Sequence, residues 1–296
     1  MSKLSLLFSK FIPQKLERNL RDFRDLYLRN YHLEKLPQEI FDKSLQHHPI
    51  SFCTTCMNRF FHLRKTIIRN MEDNMEYPGV EFVLINYNSQ DGLHAWAEKN
   101  LRKYIEAGVL NYYHTNEPQF FHVCKAKNLA HRAAQGKILC NVDGDNFTGK
   151  HFAYFINYMF LKHGFNSILH FRKKPYWGTE GRIAYTKEKF MELGGYDETF
   201  LPTGHEDHDL MNRAKAYGMG YHNFEIENFL RYLSNTTKEK SMNFEDENAY
   251  YYNYESGNRK TSDDNIANKI LIANTGPEGW GKTPLYKNFS SELKFY

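Results

Sequence analysis

Apolar and polar positions between residues 50 and 142 alternate between two patterns. Four short, nearly uninterrupted apolar runs predict β-strands that are buried on both faces. These runs lie at residues 50–55, 80–85, 109–113 and 137–142. Apolar residues at helical spacing predict three helices between them, at residues 59–74, 93–107 and 125–135, with Gly136 capping the third. Strands that alternate with helices in this way indicate an α/β domain with a mostly parallel central sheet and right-handed crossovers.

The chain divides into three parts by composition. Residues 1–48 are predicted to form a basic amphipathic helical segment, residues 49–235 the α/β domain, and residues 236–296 an irregular C-terminal extension rich in polar residues. Within this extension, residues 276–284 carry Trp280 among flexible residues. That stretch is either a lid over a functional site or an ordinary exposed loop.

The 296 residues have a formal net charge of +4, which is too small for a general nucleic-acid-binding protein. Residues 1–30 contain seven basic and three acidic residues and so carry all of this excess. With the apolar residues between Leu4 and Phe11, this segment could rest on an anionic membrane surface. The alternative is a helix that packs on the α/β domain with its arginines in water.

Features that the sequence lacks predict where in the cell the protein is located. No run approaches the ~20 apolar residues of a spanning helix, and no small-residue cleavage site follows the N-terminus. Cys53 and Cys56 are spaced like a redox or zinc pair, but no second close pair accompanies them. We therefore expect reduced thiols in a cytoplasmic protein, with peripheral contact at the inner face of the membrane if residues 1–30 bind lipid.

Two carboxylates, Asp143 and Asp145, follow the fourth predicted strand with only Gly144 between them. Ligands of parallel α/β sheets bind at the carboxyl ends of strands, and paired carboxylates suit Mg²⁺ or Mn²⁺. The alternative is a solvated acidic turn. A second acidic cluster, residues 206–209, opens a predicted helix; these acids either cap the helix or supply a general base.

Six motifs in this order resemble the GT-A fold glycosyltransferases, specifically the family-2-like inverting enzymes. They are Thr54-Thr55, Asn88 to Gly92, Ala126 to Asn128, Asp143 to Asp145, Gly194 to Phe200, and Glu206-Asp207 followed by Asp209, Leu210 and Arg213. The last two motifs together are also similar to the C-terminal motif of galactosyltransferases and N-acetylgalactosaminyltransferases. The resemblance covers residues 49–225, and it implies a GT-A (Rossmann-like) fold.

The resemblance also implies an activity. A hexose or N-acetylhexosamine would pass, with inversion, from a nucleotide sugar (UDP favoured) to a hydroxyl of a glycan or lipid-linked acceptor. Asp207 would be the general base, with Glu206 orienting hydroxyl groups, and Asp145 with Asp143 would hold Mn²⁺ or Mg²⁺ on the donor diphosphate. The implied donor-binding residues are Thr54, Arg59, Asn86, Asp91, Lys127, Asn128, Asp143 and Gly178. The implied acceptor-binding residues are Trp177 and Glu206.

The sequence departs from the family pattern at several positions. Family-2 enzymes often have two acids where this chain has Asn86-Tyr87, although the amide of Asn86 could still hydrogen-bond uracil. Thr203 to His205 replaces a common Trp-Gly, which leaves the donor sugar open. His222 is the best positional candidate for a third metal ligand and His208 the next, and the alternative for both is a structural or surface histidine.

Two other functions would use the same residues. A Mg²⁺-dependent nucleotidyltransferase could employ Asp143 and Asp145, but the sequence has no Gly-rich phosphate loop with a lysine. A non-catalytic protein of the same fold could bind nucleotide sugars or carbohydrate. Binding without hydrolysis or transfer would distinguish this last class from an enzyme.

Overall fold

The structure is a computed structural model that describes residues 13–174, 177–246 and 251–294, with only the backbone of 177 and 251–253. The described helices are α1 Gln14–Phe23, α2 Phe60–Asn74, α3 Leu93–Glu106, α4 Val123–Ala133, α5 Phe152–His163, α6 Lys187–Glu192, α7 Glu206–Ala216, α8 Thr237–Ser241 and α9 Tyr251–Ala267. The described strands are β1 Ile50–Cys56, β2 Val80–Tyr87, β3 Leu110–Thr115, β4 Ile138–Asn141, β5 Ser167–Phe171, β6 Ile183–Thr186, β7 Gly220–Phe224, β8 Leu285–Lys287 and β9 Leu293–Lys294.

The described strands form one sheet in the order β7-β5-β6-β4-β1-β2-β3-β8-β9. Its centre, β4-β1-β2-β3, is parallel throughout, which confirms the predicted α/β class. Antiparallel pairings flank this centre, where β6 joins β4 and β8 joins β3. The central strands are apolar because helices cover both of their faces: Phe52 packs in one core and Cys53 in the other.

The chain order of the central strands creates a switch point between β1 and β4. The chain moves outward from β1 to β2 and β3, then returns to place β4 on the other side of β1. Crossovers from the carboxyl ends of β1 and β4 therefore diverge to opposite sides and leave a crevice there. Cys56 ends β1, and Asp143 follows β4 by two residues, so both border this crevice.

Two local predictions need correction. Helix α4 ends at Ala133, so Gly136 does not cap it. Gly136 lies against β1, where a Cβ atom would come within 2.6 Å of the Ser51 Oγ atom. The C-terminal part is more regular than expected, since it contains the 17-residue helix α9 and the hairpin β8–β9 that extends the sheet.

The predicted lid at residues 276–284 does not cover the crevice. The Trp280 ring packs against Phe190, with their centroids 5.9 Å apart, and its carbonyl accepts a hydrogen bond from Arg132. Trp280 thus belongs to one of the two cores. The stretch is a packed surface connection in this structure.

The N-terminal segment packs on the α/β domain, but in an unexpected orientation. Apolar side chains of α1 and the turn after it, Leu20 and Leu28 among them, are 49–71% exposed, whereas its arginines pair with buried carboxylates. The expectation of arginines in water is therefore wrong. The apolar residues from Leu4 to Phe11 lie outside the described residues. In the described part of the chain, no helix is long and apolar enough to cross a bilayer.

The four cysteines are buried free thiols, as predicted. Burial raises the pKa of Cys56 and of Cys140 to about 12. Thiols with such high pKa values stay protonated and unreactive at neutral pH. They act as small apolar residues of the cores.

A buried ion pair fixes helix α7, which borders the crevice. Arg213 is 1% exposed, and its Nε atom donates to Asp209 Oδ2 at 2.7 Å. Its Nη1 and Nη2 atoms donate to the carbonyls of Leu193 and Gly195, each at 2.8 Å. One guanidinium therefore ties α7 to the loop after α6.

Replacing Arg213 by methionine should lower the free energy of unfolding by about 3–5 kcal/mol, because Asp209 would be left as an unpaired buried charge. Urea unfolding followed by circular dichroism measures the change. Arg102→Met is the matched control, since Arg102 forms an exposed ion pair with Glu98 and should cost less than about 1 kcal/mol. Equal effects of the two substitutions would contradict this assignment.

Candidate active site

A cavity opens at the crevice between β1 and β4. It brings together seven of the side chains and backbone positions that the sequence predicted for the site. These are Arg59, Lys127, Asp143, Asp145, Gly178, Glu206 and Asp207. They come from five separate parts of the chain, so the fold assembles them.

Three donors hold the carboxylate of Asp145 in the cavity wall. Its Oδ2 atom accepts from Arg59 Nη2 at 2.9 Å and from Asn235 Nδ2 at 2.5 Å. Its Oδ1 atom accepts from Asn146 Nδ2 at 2.6 Å, and Asn146 in turn accepts from the buried guanidinium of Arg182 at 2.8 Å. Asp145 is thus fixed in orientation and partly neutralised.

Asp143 is less well compensated than Asp145. Its Oδ1 atom accepts one hydrogen bond, from Asn141 Nδ2 at 3.1 Å. Burial raises the pKa of Asp143 and the charge of Asp145 raises it further, against the opposing effect of Lys127. Two carboxylates whose negative charge is only partly compensated supply hard oxygen donors that fit the chemistry of a divalent cation.

The second acidic pair opens helix α7 and surrounds a buried lysine. Lys127 Nζ lies 3.0 Å from Glu206 Oε1 and 2.7 Å from Asp207 Oδ1. Burial raises the pKa of Asp207 to about 7, and the charges of Glu206 and Asp143 add to this, while Lys127 opposes it. Burial raises the pKa of Glu206 as well, but the charge and hydrogen bond of Lys127 outweigh burial and hold the pKa of Glu206 below its usual value. Of the two acids, Asp207 therefore has the pKa suited to proton transfer near neutral pH.

Gly181 lies where the two acidic pairs approach each other. A Cβ atom at this position would lie 2.7 Å from Asp207 Oδ2 and 3.3 Å from Asp143 Oδ2. Both carboxylates therefore face the space above the same glycine. The two motifs, 64 residues apart in sequence from Asp143 to Asp207, form one site.

Two predicted donor-binding residues at the ends of β1 and β2 form hydrogen bonds within the protein. Thr54 is buried, and its hydroxyl donates to the carbonyl of Val142 at 2.8 Å. Asn86 uses both ends of its amide within the protein, donating to the Tyr112 hydroxyl at 2.9 Å and accepting from the Ser89 amide at 2.8 Å. Neither side chain lines the cavity, and their predicted contacts with the donor stay predictions.

Two more predicted donor-binding residues also form hydrogen bonds within the protein. Asp91 Oδ2 accepts from the Phe60 amide at 2.7 Å and so binds the first turn of α2. Asn128 is fully buried and exchanges hydrogen bonds with the backbone of Tyr196, at 2.8 and 2.9 Å. Both residues brace elements beside the cavity without facing it.

The histidine predictions do not produce a third metal ligand. His222 lies on β7 and packs against His163, with ring centroids 4.0 Å apart, away from the cavity. His208 lies 3.7 Å from Glu180, which lines the cavity, but does not line it itself. The side chain of Trp177 lies outside the described residues, so its predicted acceptor contact stays a prediction.

One wall of the cavity was missed by the sequence analysis. Asn235, Lys240, Asn243 and Phe244 line it from the stretch around α8. The four lie at or beyond the predicted end of the α/β domain. The only sequence signal for this wall is the presence of two asparagines and a lysine in a polar stretch, which is weak.

The comparisons with known proteins agree on the fold. Residues 163–237 match the family described as the N-terminal domain of galactosyltransferase, which is about a quarter of the chain. This segment contains Gly178 and the acidic pair on α7. No curated protein sequence matches the chain.

Three solved structures are similar to this one. The mannosyltransferase PcManGT from Pyrobaculum calidifontis, in complex with GDP-Man and Mn²⁺, has a TM-score of 0.50 and 17% identity over 69% of this chain and 60% of that one. TarS 1–349 from S. aureus has a TM-score of 0.54 and 14% identity, covering 78% and 67% of the two chains. GalNAc-T7 with UDP, GalNAc and Mn²⁺ has a TM-score of 0.51 and 14% identity, covering 66% and 47%.

The chain thus spans roughly half to two thirds of the length of these structures. At such low identity they establish the fold alone, and the family match covers about a quarter of the chain. This chain therefore has the GT-A fold of these glycosyltransferases, and its residues 163–237 are similar to the N-terminal domain of galactosyltransferase.

Proposed function

We propose that this enzyme transfers a hexose or N-acetylhexosamine, with inversion, from a nucleoside diphosphate sugar to a hydroxyl of a glycan or lipid-linked acceptor. UDP is the favoured nucleotide, and Mn²⁺ or Mg²⁺ the cofactor. The observation that carries the proposal is the approach of both acidic pairs to Gly181 at the switch point of the sheet. A diphosphate site and a general base must be this close for in-line displacement at the sugar.

Asp207 is the proposed general base. Its pKa of about 7 lets it accept the proton of the acceptor hydroxyl as that oxygen attacks the anomeric carbon. Lys127 holds the carboxylate in place through its 2.7 Å contact and limits the rise of its pKa. Glu206, ionised beside the same lysine, offers an acceptor for hydroxyl groups of either sugar.

The opposite side of the cavity is the proposed donor diphosphate site. Asp143 and Asp145 would hold the divalent cation, and Arg59, 2.9 Å from Asp145, is the nearest protein cation. In the described part of the chain, no three His, Cys, Asp or Glu side chains are grouped to bind a metal, so donor oxygens would complete the coordination. When bound, the cation neutralises charge on the leaving nucleoside diphosphate. The Mn²⁺ complexes of PcManGT and GalNAc-T7 support this assignment.

Trp177 and Glu206 are the proposed acceptor contacts. A lipid-linked acceptor would suit peripheral attachment at the inner face of a cytoplasmic membrane through residues 1–30. Since the arginines of α1 pair with the protein, the exposed Leu16, Leu20 and Phe23 are the proposed contacts with lipid.

A thermal-shift screen with UDP-, GDP- and CMP-sugars, with and without Mn²⁺, tests the proposed function. Stabilisation by one nucleotide sugar that depends on Mn²⁺, with slow hydrolysis of the donor, is the expected result. Binding without hydrolysis or transfer would identify a non-catalytic binding protein. Release of pyrophosphate from a nucleotide would identify a nucleotidyltransferase instead.

The substitution Asp207→Asn should lower kcat at least about 100-fold, because asparagine cannot accept the proton. Its size and buried position are unchanged, so the dissociation constant of the nucleotide measured by calorimetry should stay within about threefold. Asp263→Asn makes the same chemical change at an exposed position of α9 and should leave both values unchanged. Full activity of Asp207→Asn would show that another group is the base.

The substitution Lys127→Met should move the acidic limb of the kcat–pH profile upward by at least about one pH unit. Lys127 lowers the pKa of Asp207, so without it the base stays protonated to higher pH and activity recovers only there. The measurement is initial rate against pH at saturating donor.

Two further variants complete this test. Lys127→Arg keeps the charge and should keep the limb near its wild-type position, while Lys125→Met removes an exposed lysine of the same helix and should change nothing. If Lys127→Met lowers kcat at every pH without moving the acidic limb of the kcat–pH profile, the electrostatic role of Lys127 is contradicted.

A further inference from the structure

The N-terminal segment, residues 14–29, is attached to the rest of the protein by ion pairs. Arg18 Nε lies 2.7 Å from Glu239 Oε1, and Arg21 Nη2 lies 2.5 Å from Glu239 Oε2. The Glu239 side chain is only 1% exposed, so the two guanidinium groups cover it from solvent. Glu239 belongs to α8, within the missed wall of the cavity.

A second contact lies a few residues away. Asp25 is buried and pairs with Arg29 at 3.0 Å, and its Oδ2 atom accepts from the Ser234 amide at 2.7 Å. Arg21 Nε donates to the Ser234 carbonyl at 3.0 Å. Both backbone groups of Ser234 are thus held by the N-terminal segment, immediately before Asn235.

The stretch held in this way, residues 234–244, is the cavity wall itself. Asn235 donates to the proposed metal ligand Asp145 at 2.5 Å. At the other end, Asn243 Nδ2 donates to the carbonyl of Met57 at 2.8 Å, and its own carbonyl accepts from the Phe121 amide at 2.7 Å. Lys240, between these two points, and Phe244, directly after Asn243, also line the cavity.

The arginines are necessary for this arrangement because Glu239 stays ionised when buried. Burial raises its pKa, but the Thr236 amide and the two arginines more than offset this and lower it to about 2. Without Arg18 and Arg21, the same conformation would bury an unpaired carboxylate, which is costly. Apolar packing would not replace them, since Leu16, Leu20 and Phe23 of α1 point outward and are 49%, 56% and 53% exposed.

We propose that residues 14–29 position the active site: Arg18 and Arg21, acting through Glu239, hold the wall of residues 234–244 over the donor cavity. The donor site is complete only when this segment is docked. Arg18 and Arg21 are positioning residues, since neither lines the cavity. The predicted loss of donor affinity rests on the proposed function, whereas the predicted loosening of residues 234–244 does not.

The test compares full-length Arg18→Gln/Arg21→Gln with the wild type by amide hydrogen–deuterium exchange and by calorimetric binding of UDP with Mn²⁺. Amides of residues 234–244 should exchange at least about tenfold faster, while those of β1, β2 and β4 keep their wild-type rates. The dissociation constant for UDP should rise at least about tenfold. At saturating donor, kcat should stay within about threefold, which separates positioning from catalysis.

Two variants keep the proposal falsifiable. Glu239→Gln retains an acceptor for the Thr236 amide, and the unpaired Arg18 and Arg21 side chains can reach solvent, so this variant should fold. It should show the same increases in exchange rate and dissociation constant, but smaller ones. Arg102→Gln removes an exposed ion pair on α3 and should leave both readouts unchanged. Unchanged exchange of residues 234–244 in both Arg18→Gln/Arg21→Gln and Glu239→Gln would overturn the proposal. If the wild type binds no UDP, the donor assignment fails, and the exchange result alone decides the role of the segment.

Discussion

Crowding of buried carboxylates at one edge of the sheet is the constraint on which the site depends. Lys127 interacts with Asp143, Glu206 and Asp207 together, and burial, helped by the charges of the other two carboxylates, raises the pKa of Asp207 to about 7. The charge of Lys127 is sufficient to keep Glu206 ionised. It is not sufficient to lower the pKa of Asp207 to the usual value of a carboxyl group, so Asp207 remains basic enough to accept a proton. A cation at Asp143 and Asp145 would complete the compensation on the donor side.

Ion pairs between a buried carboxylate and a guanidinium hold the elements around this site. Asp209 and Arg213 fix the helix that carries the acidic pair, and Glu239 with Arg18 and Arg21 fixes the opposite wall. Breaking such a pair leaves an unpaired buried charge, so moving either element away from its partner is costly. The excess of positive charge in residues 1–30 is explained in large part by this role.

The sequence predicted the centre of the sheet and both acidic pairs because their signals are local. A buried parallel strand is a run of apolar residues, and Asp143 follows one directly. Asn86 and Asn128 bind backbone groups and do not line the cavity, since a polar side chain can bind the backbone as readily as a ligand and sequence does not distinguish the two. The wall that contains Asn235 was missed because it reaches the cavity through ion pairs with residues more than 200 positions away, which no periodicity records.

The central claim is that Asp207 activates an acceptor oxygen that attacks the sugar from the side opposite the departing diphosphate. Proton NMR of the first product formed from an α-linked nucleotide sugar tests this most directly, because it reports the anomeric configuration before any mutarotation. A β-linked product is expected. An α-linked product would mean retention, and would contradict the assignment of Asp207 as a general base in a single displacement.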